Sequence, residues 1–353
     1  MLWHKEADMA DVQKQFTEFH DKIKLGAFDE NATLREKRDI VLNKLKTRLK
    51  AMFEEKNEPV PQYDTFDQGS YKMGTGVIPL DSDYDIDVGL SFKVKKDDYP
   101  DPVVVKKWVY DALDGHTKKV DMKRPCVTVT YQKDGEPVYH VDLAVYSDES
   151  CNSDGKKYLA RGKLNSTTEN KTWEVSDPKG LMDTVGNKYS GEDKKQFVRV
   201  IRYLKRWKDY NFSSNGNAAP IGIGLTVAAY NWFTLNKTQD YVANTSKYND
   251  LQATRDLVKR MVDNFGTRLK VYLPVEPYSE LFAKMTDNQM TDLKEKLDKL
   301  LEALDSAISE VAPEVACETL AKVFGKDFPV PEKKETARVT GPAIATSSNS
   351  AYA

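Results

Sequence analysis

Cysteine is scarce in this chain: three occur in 353 residues, at Cys126, Cys151 and Cys317. An odd number, so widely spaced, excludes a disulfide framework, and with four histidines it leaves no cluster suited to zinc. A reducing, cytoplasmic setting is the expectation. Long apolar runs are also missing, none approaching the ~18 residues that span a bilayer. The opening residues, MLWHKEADMADVQK, have no apolar stretch of the signal-peptide kind, so no membrane association or export is expected. Net charge is small as well. Lys and Arg number 53 against 55 Asp and Glu, a balance of -2 that argues against a generally basic nucleic-acid surface and confines any polyanion site to a local patch. What remains, 40% hydrophobic and 31% charged, suits a folded protein large enough for two lobes. No internal repeat is present.

One stretch organises the rest: Gln68 to Leu90, QGSYKMGTGVIPLDSDYDIDVGL. Asp81, Asp83, Asp85 and Asp87 fall at alternate positions, and Ile86, Val88 and Leu90 take the intervening ones, the period of a half-buried strand. Asp85 and Asp87 therefore share a face. Adjacent carboxylates repel, and no basic residue lies between Lys72 and Lys93 to neutralise them. A divalent cation would do so, and magnesium, which prefers oxygen ligands and substrate phosphates, is the natural candidate. Upstream, Gly69 and Ser70 offer bare amides and a hydroxyl to phosphate oxygens. Rival motifs fail on the letters. A P-loop needs Lys and Ser or Thr after its second glycine, whereas Gly74 is followed by Thr75 and Gly76. A dinucleotide fingerprint meets Pro79, and a calcium loop counted from Asp81 meets Ile86 and Phe92 where Gly and Glu are required. The bland alternative is a solvated acidic turn.

Along the chain, a first helix is expected over about Asp8 to Leu25. A second begins at Thr33, whose TLRE reads as a capping box, carries the stripe Leu34, Val41, Leu45, Leu49 and Phe53, and stops before Pro59 and Pro61. A short strand near Tyr63 to Phe66 leads into the glycine turn. A polar loop from Lys93 to Asp101 precedes a helix at Val103 to Leu113, and strands follow at Cys126 to Gln132 and Val138 to Tyr146. On the latter, Asp142 is an isolated acid whose burial needs a metal or a distant basic partner. If that strand lies beside the acidic one, Asp142 joins Asp85 and Asp87 in a three-carboxylate site suited to phosphoryl or nucleotidyl transfer.

Cys151 to Lys171 reads as surface loop, and WEVSDP as a turn into a helix. A helix capped by Ser190 and Asp193 carries the stripe Phe197, Val200, Ile201, Leu204 and Trp207 or Lys208. Lys205 sits at the edge of that stripe, either snorkelling to water or reaching a cleft. Pro220 would open the next helix, Ile221 to Leu235, where Gly222 and Gly224 serve either phosphate binding or close packing. Further helices are expected at Lys247 to Phe265 and from Thr286, the last with the stripe Met290, Leu293, Leu297, Leu301, Leu304, Ile308 and Val311. From Pro329 the composition is that of a disordered tail.

Gly69-Ser70 followed by Asp85-Ile86-Asp87, with Asp142 on a later strand, resembles the polymerase-beta nucleotidyltransferase superfamily. QGSYKMGT, YDIDVG, HVDLAVY, the SDP of Ser176 to Pro178, and IRYLKRWKD before a proline-led helix resemble, within it, the cGAS/DncV-like nucleotidyltransferases (CD-NTases) of bacterial anti-phage signalling. The resemblance implies an α+β, bilobed fold: a nucleotidyltransferase core with its spine helix over residues 1–180, a helical lobe over 181–328, and a tail from 329 to 353. It implies that Asp85 and Asp87 bind two magnesium ions, or manganese, and that Asp142 binds the catalytic one. Gly69 and Ser70 would hold the donor triphosphate and Lys205 would contact phosphate. Relatives often carry a serine early in the helix after that lysine; here Thr226 is the nearest hydroxyl. The implied activity is condensation of nucleoside triphosphates, ATP or GTP foremost, into a cyclic di- or trinucleotide that activates an effector protein. A linear oligonucleotide synthase, a transferase acting on RNA or a small molecule, and a nucleotide-binding regulator with an idle site are the alternatives. The zinc insertion of the animal DNA sensor is absent, so activation by double-stranded DNA is not expected. In some relatives a ubiquitin-like conjugation enzyme acts on the carboxyl terminus, here Ala353.

Overall fold

The computed structural model of the protein describes residues 10–26, 30–81, 83–213 and 218–333. Its elements run α1 (Gln13–Ile23), α2 (Glu30–Glu54), β1 (Tyr63–Gln68), a single turn α3 (Gly69–Lys72), β2 (Tyr84–Phe92), α4 (Pro102–Leu113), β3 (Lys119–Met122), β4 (Val127–Lys133), β5 (Glu136–Ser147), β6 (Tyr158–Arg161) and β7 (Thr172–Val175). The helical part follows as α5 (Pro178–Gly186), α6 (Gly191–Asn211) and α7 (Gly222–Trp232), a hairpin of β8 (Lys237–Asp240) and β9 (Thr245–Tyr248), then α8 (Asp250–Asp263), α9 (Asp287–Ser309) and α10 (Pro313–Phe324).

The α+β architecture is a mixed sheet ordered β1-β2-β5-β4-β3, with β6 along the end of β5 and β7 beyond it. β2 and β5 run parallel; β1 with β2 and β4 with β5 are antiparallel. Side-chain alternation divides the sheet into two chemistries. Ile86, Val88 and Leu90 from β2, Val127 and Val129 from β4, and Val141, Leu143 and Val145 from β5 pack beneath α2 and α4. α2 contributes Leu34, Val41, Leu45, Leu49 and Phe53, the stripe read from its periodicity. The alternate residues, acidic and hydroxylic, face the other way.

A second core gathers α6 to α10 around Phe197, Val200, Leu204 and Trp207. α1 joins it: Phe16 packs edge-on against Tyr203 and Phe328, and Phe19 stacks on Tyr203 and packs at a tilt on Phe324, so the first helix is built into the helical lobe although its sequence lies on the amino-terminal side.

Several boundaries differ from the sequence reading. α2 already runs from Glu30, so Thr33 lies inside its first turn instead of capping it, and it ends at Glu54 with Asn57 in the left-handed region, before either proline. Pro220 precedes the N-cap Ile221, so α7 opens on Gly222. Lys247 belongs to β9, and α8 starts at Asp250. Thr286 does form a capping box with Gln289, but α9 ends before Val311, which is exposed. The presumed loop from Cys151 to Lys171 contains β6, and β3 and α10 were not anticipated. The tail from 334 onward, with Ala353, lies outside the described residues.

Candidate active site

β1 ends opposite the acidic strand: Gln68 pairs with Asp87, and the chain turns at Gly69 into α3. Gly69 adopts φ +69, and a Cβ there would lie 2.0 Å from Asp87 Oδ2. Only glycine permits the carboxylate of Asp87 to lie against the turn. On the far side of β2, the parallel register aligns Asp87 with Asp142 and Asp85 with His140, while the antiparallel register of β4 sets Thr128 beside Asp142 and Thr130 beside His140. Two rows of polar side chains thus cross the open face: Asp87, Asp142, Thr128 and, one step along, Asp85, His140, Thr130.

Each row is hydrogen-bonded. Thr128 Oγ1 donates to Asp142 Oδ1 at 2.6 Å. His140 Nδ1 meets Thr130 Oγ1 at 3.0 Å, and its Nε2 meets Asp83 Oδ2 at 3.0 Å. Asp83 lies before β2 and is occupied by the histidine, and Asp81 is exposed in the preceding turn, so only Asp85 and Asp87 of the four alternating acids stand on the strand. No ion pair to Asp142 is formed among the described residues, which removes the salt-bridge account of this acid.

The three carboxylates strain one another electrostatically. Asp87 is pushed up to about 7, chiefly by burial and then by Asp142 and Asp85, with Lys205 pulling the other way. Asp85 is pushed up to about 6 by loss of solvation among its neighbours and by Asp142, although its side chain still meets water at the cleft mouth. Among the described residues no group of three or more acidic, histidine or cysteine side chains is already arranged in ligand geometry. The donor set nevertheless fits a hard divalent cation: hard oxygens only, on neighbouring strands, in a cluster whose repulsion a cation would relieve.

Opposite this face stands α6. Lys205 is buried and donates from Nζ to Thr75 O at 3.0 Å and to Thr75 Oγ1 at 3.1 Å. Burial, then Lys208 and Arg202, lower its pKa to about 7. It does not snorkel; it forms cleft wall together with Lys208 and Gly222. Its neighbours on the same helix bind the same loop, Arg202 Nε donating to Gly76 O at 3.0 Å and Arg206 Nη2 to Ile78 O at 2.7 Å. The cleft so enclosed has a volume of about 570 Å³, and Gly69, Ser70, Asp85, Asp87 and Lys205 all line it.

Thr226 is not part of it. Its hydroxyl donates to Gly222 O, one turn back in α7, and its side chain is wholly buried. Gly224 is likewise a packing residue, since a Cβ there would lie 2.3 Å from the ring of Phe282. Of the two glycines only Gly222 reaches the cleft. Sequence reasoning missed Thr75, Tyr146, Ser176, Asp177 and Lys208, of which the last four line the cleft. Tyr146 donates to Gln68 Oε1 at 2.9 Å and braces the end of β1. Its place on the Asp142 face was readable from the alternation of β5; the others come from loops and helix rotation.

Comparison with known proteins bears on the fold. Residues 63–146 match the family model described as cyclic GMP-AMP synthase DncV-like, nucleotidyltransferase domain. A cyclic GMP-AMP synthase from Escherichia albertii is 29% identical over 159 residues, 42% of this chain and 32% of the relative, so the matched stretch spans about a third of that protein's length. The fold matches the Vibrio cholerae DncV cyclic AMP-GMP synthase in complex with nonhydrolyzable GTP, with a TM-score of 0.68 at 19% identity over 90% of this chain and 97% of that one. It also matches the E. coli MS115-1 CdnC structure with ATP, with a TM-score of 0.61 at 17% identity over 90% and 98% of the two chains.

Proposed function

We propose that this chain, whose core is a DncV-like nucleotidyltransferase domain, joins nucleoside triphosphates, ATP or GTP foremost, into a cyclic di- or trinucleotide. The observation that carries the reading is the convergence of Asp85, Asp87, Gly69, Ser70 and Lys205 on one cleft, with Asp142 in register beside Asp87. Similar proteins whose structures hold GTP or ATP share the fold.

In this reading the amide and hydroxyl of Gly69 and Ser70 hold the donor triphosphate from the sheet side. Lys205 neutralises phosphate charge from the helical side, its ammonium restored by the anion it contacts. Asp85, Asp87 and Asp142 would hold magnesium, which when bound supplies charge stabilisation at the triphosphate and a lowered pKa at the acceptor hydroxyl. Asp142 assists removal of that proton. The buried wall of α6 excludes water from the transfer, favouring a ribose hydroxyl over hydrolysis. The product would act on an effector protein in anti-phage signalling, with conjugation at Ala353 as an added layer of control.

Incubation with labelled ATP, GTP, CTP and UTP, singly and in pairs, followed by phosphatase and nuclease treatment and mass spectrometry, tests this. A phosphatase-resistant product is expected. A phosphatase-sensitive chain would identify a linear synthase, a label on added RNA a transferase of another kind, and nucleotide binding without product an idle regulator.

A further inference from the structure

We infer that Thr128 is a positioning residue for Asp142, restricting that carboxylate to ligation through one oxygen; the inference rests on the proposed nucleotidyl transfer. Thr128 is fully buried on β4, directly across the ladder from Asp142, and its Oγ1 donates to Oδ1 at 2.6 Å. On the same face, Cys126 Sγ stands 3.5 Å from Thr128 Oγ1, completing a line of three side chains that ends at the acid.

A β-branched hydroxyl on a central strand has little rotational freedom. The wholly buried hydroxyl of Thr128 is directed across the ladder to Asp142 Oδ1 and restrains rotation of the carboxylate. An acid held at Oδ1 presents Oδ2 freely, and a two-oxygen grip has to share or break the bond from Thr128. That suits the small octahedral ion of nucleotidyl transfer, which demands near-ideal geometry, over larger ions that accept bidentate carboxylates. Partners that hold a metal ligand in place change metal affinity or activity by about 10- to 100-fold when removed. The other acid of the row, Asp87, lies against the turn at Gly69, where a Cβ would come within 2.0 Å of its Oδ2.

The test compares Thr128→Val, which keeps the shape and removes the donor, Thr128→Ser, which keeps the donor, and Asp142→Asn. Three readouts are taken on the full chain: kcat and KM for nucleotide, Mn²⁺ binding to the complex with a nonhydrolysable triphosphate by electron paramagnetic resonance, and the Mg²⁺/Ca²⁺ preference of that complex by competition. Thr128→Val should lower kcat about 10- to 100-fold, weaken the lower-affinity Mn²⁺ about 10-fold, shift preference toward Ca²⁺, and leave KM for nucleotide unchanged; Thr128→Ser should recover most of each. Wild-type kcat and Mn²⁺ affinity in Thr128→Val would overturn the inference, as would a loss that Thr128→Ser shares in full. If Asp142→Asn itself retains activity and ion binding, the nucleotidyl-transfer reading of this acid fails; if it loses both while Thr128→Val is normal, only the role of Thr128 fails.

Discussion

Replacing Asp87 by Asn should make the metal-free protein more stable, by an amount that grows as pH rises from about 4 to about 7. Burial, Asp142 and Asp85 raise the carboxyl of Asp87 from an ordinary 3.8 to about 7. At 1.36 kcal/mol per pH unit, that interval corresponds to about 4 kcal/mol favouring the protonated acid in the folded state. Because the folded pKa lies above the unfolded one, the native state loses stability as pH rises from about 4 through about 7, and carries the full penalty above that. Part of the interval belongs to repulsion shared with Asp85 and Asp142 and part is relieved by water in the cleft, so about 2 kcal/mol is a reasonable gain for Asp87→Asn at pH 8. For a chain of this size that is a rise of a few degrees in Tm. At pH 5 the folded acid is largely protonated and the unfolded one is not, so about a third of the difference should remain, falling to zero below about pH 4. Scanning fluorimetry in EDTA at pH 5 and pH 8 measures both, and repetition with Mg²⁺ and a nonhydrolysable triphosphate should raise the Tm of the wild type and not that of the variant. A variant less stable than wild type at pH 8 without metal, or a difference independent of pH, would refute the electrostatic account.

Lys205→Ala should raise KM for nucleotide and lower kcat/KM by about 10-fold or more, the loss of one charge-assisted phosphate contact; an unchanged KM in steady-state assays would reduce Lys205 to a tether for Thr75. Thr226→Val should leave kcat and KM within twofold of wild type, since its hydroxyl serves only Gly222 O within α7. A selective rise in KM would return that hydroxyl to the site. Deleting residues 341–353 should leave nucleotide turnover by the purified protein unchanged, and in cells that also contain a ubiquitin-like conjugation enzyme it should reduce protection against phage; equal protection by both forms would remove the proposed conjugation at Ala353.

The acidic triad was legible because strand period and charge conflict with each other at Asp85, Asp87 and Asp142: carboxylates among Ile, Val and Leu need a cause. The spine stripe of α2 was legible for the same reason of period. Periodicity names a buried face without naming what covers it, and so α1 was read as a helix but not as part of the helical core. β3 alternates Lys119, Val120, Asp121 and Met122 but over four residues only, too short a run to stand out from a loop, and β6, Tyr158–Arg161, has no alternation to announce it. Lys205 was left between water and cleft because its fate depends on the carbonyl of Thr75, 130 residues away in sequence. Thr226 was misplaced by a one-residue question of where α7 begins: with Gly222 as first residue, the threonine falls one full turn in and points back along its own helix.

The loop of residues 75–78 joins the phosphate turn to the acidic strand, and its carbonyls are held from elsewhere. Arg202, Lys205 and Arg206 of α6 each take one, and the end of α1 adds Leu25 N to Gly76 O and Ile78 N to Ile23 O. The hinge that a two-lobed enzyme would ordinarily place between its halves is thus bolted at the site itself. Any rocking of the helical lobe carries this loop along and drags Gly69 at one end and Asp85 at the other. Under the proposed nucleotidyl transfer, one such motion would change the turn at Gly69 and the spacing of the acids in a single stroke.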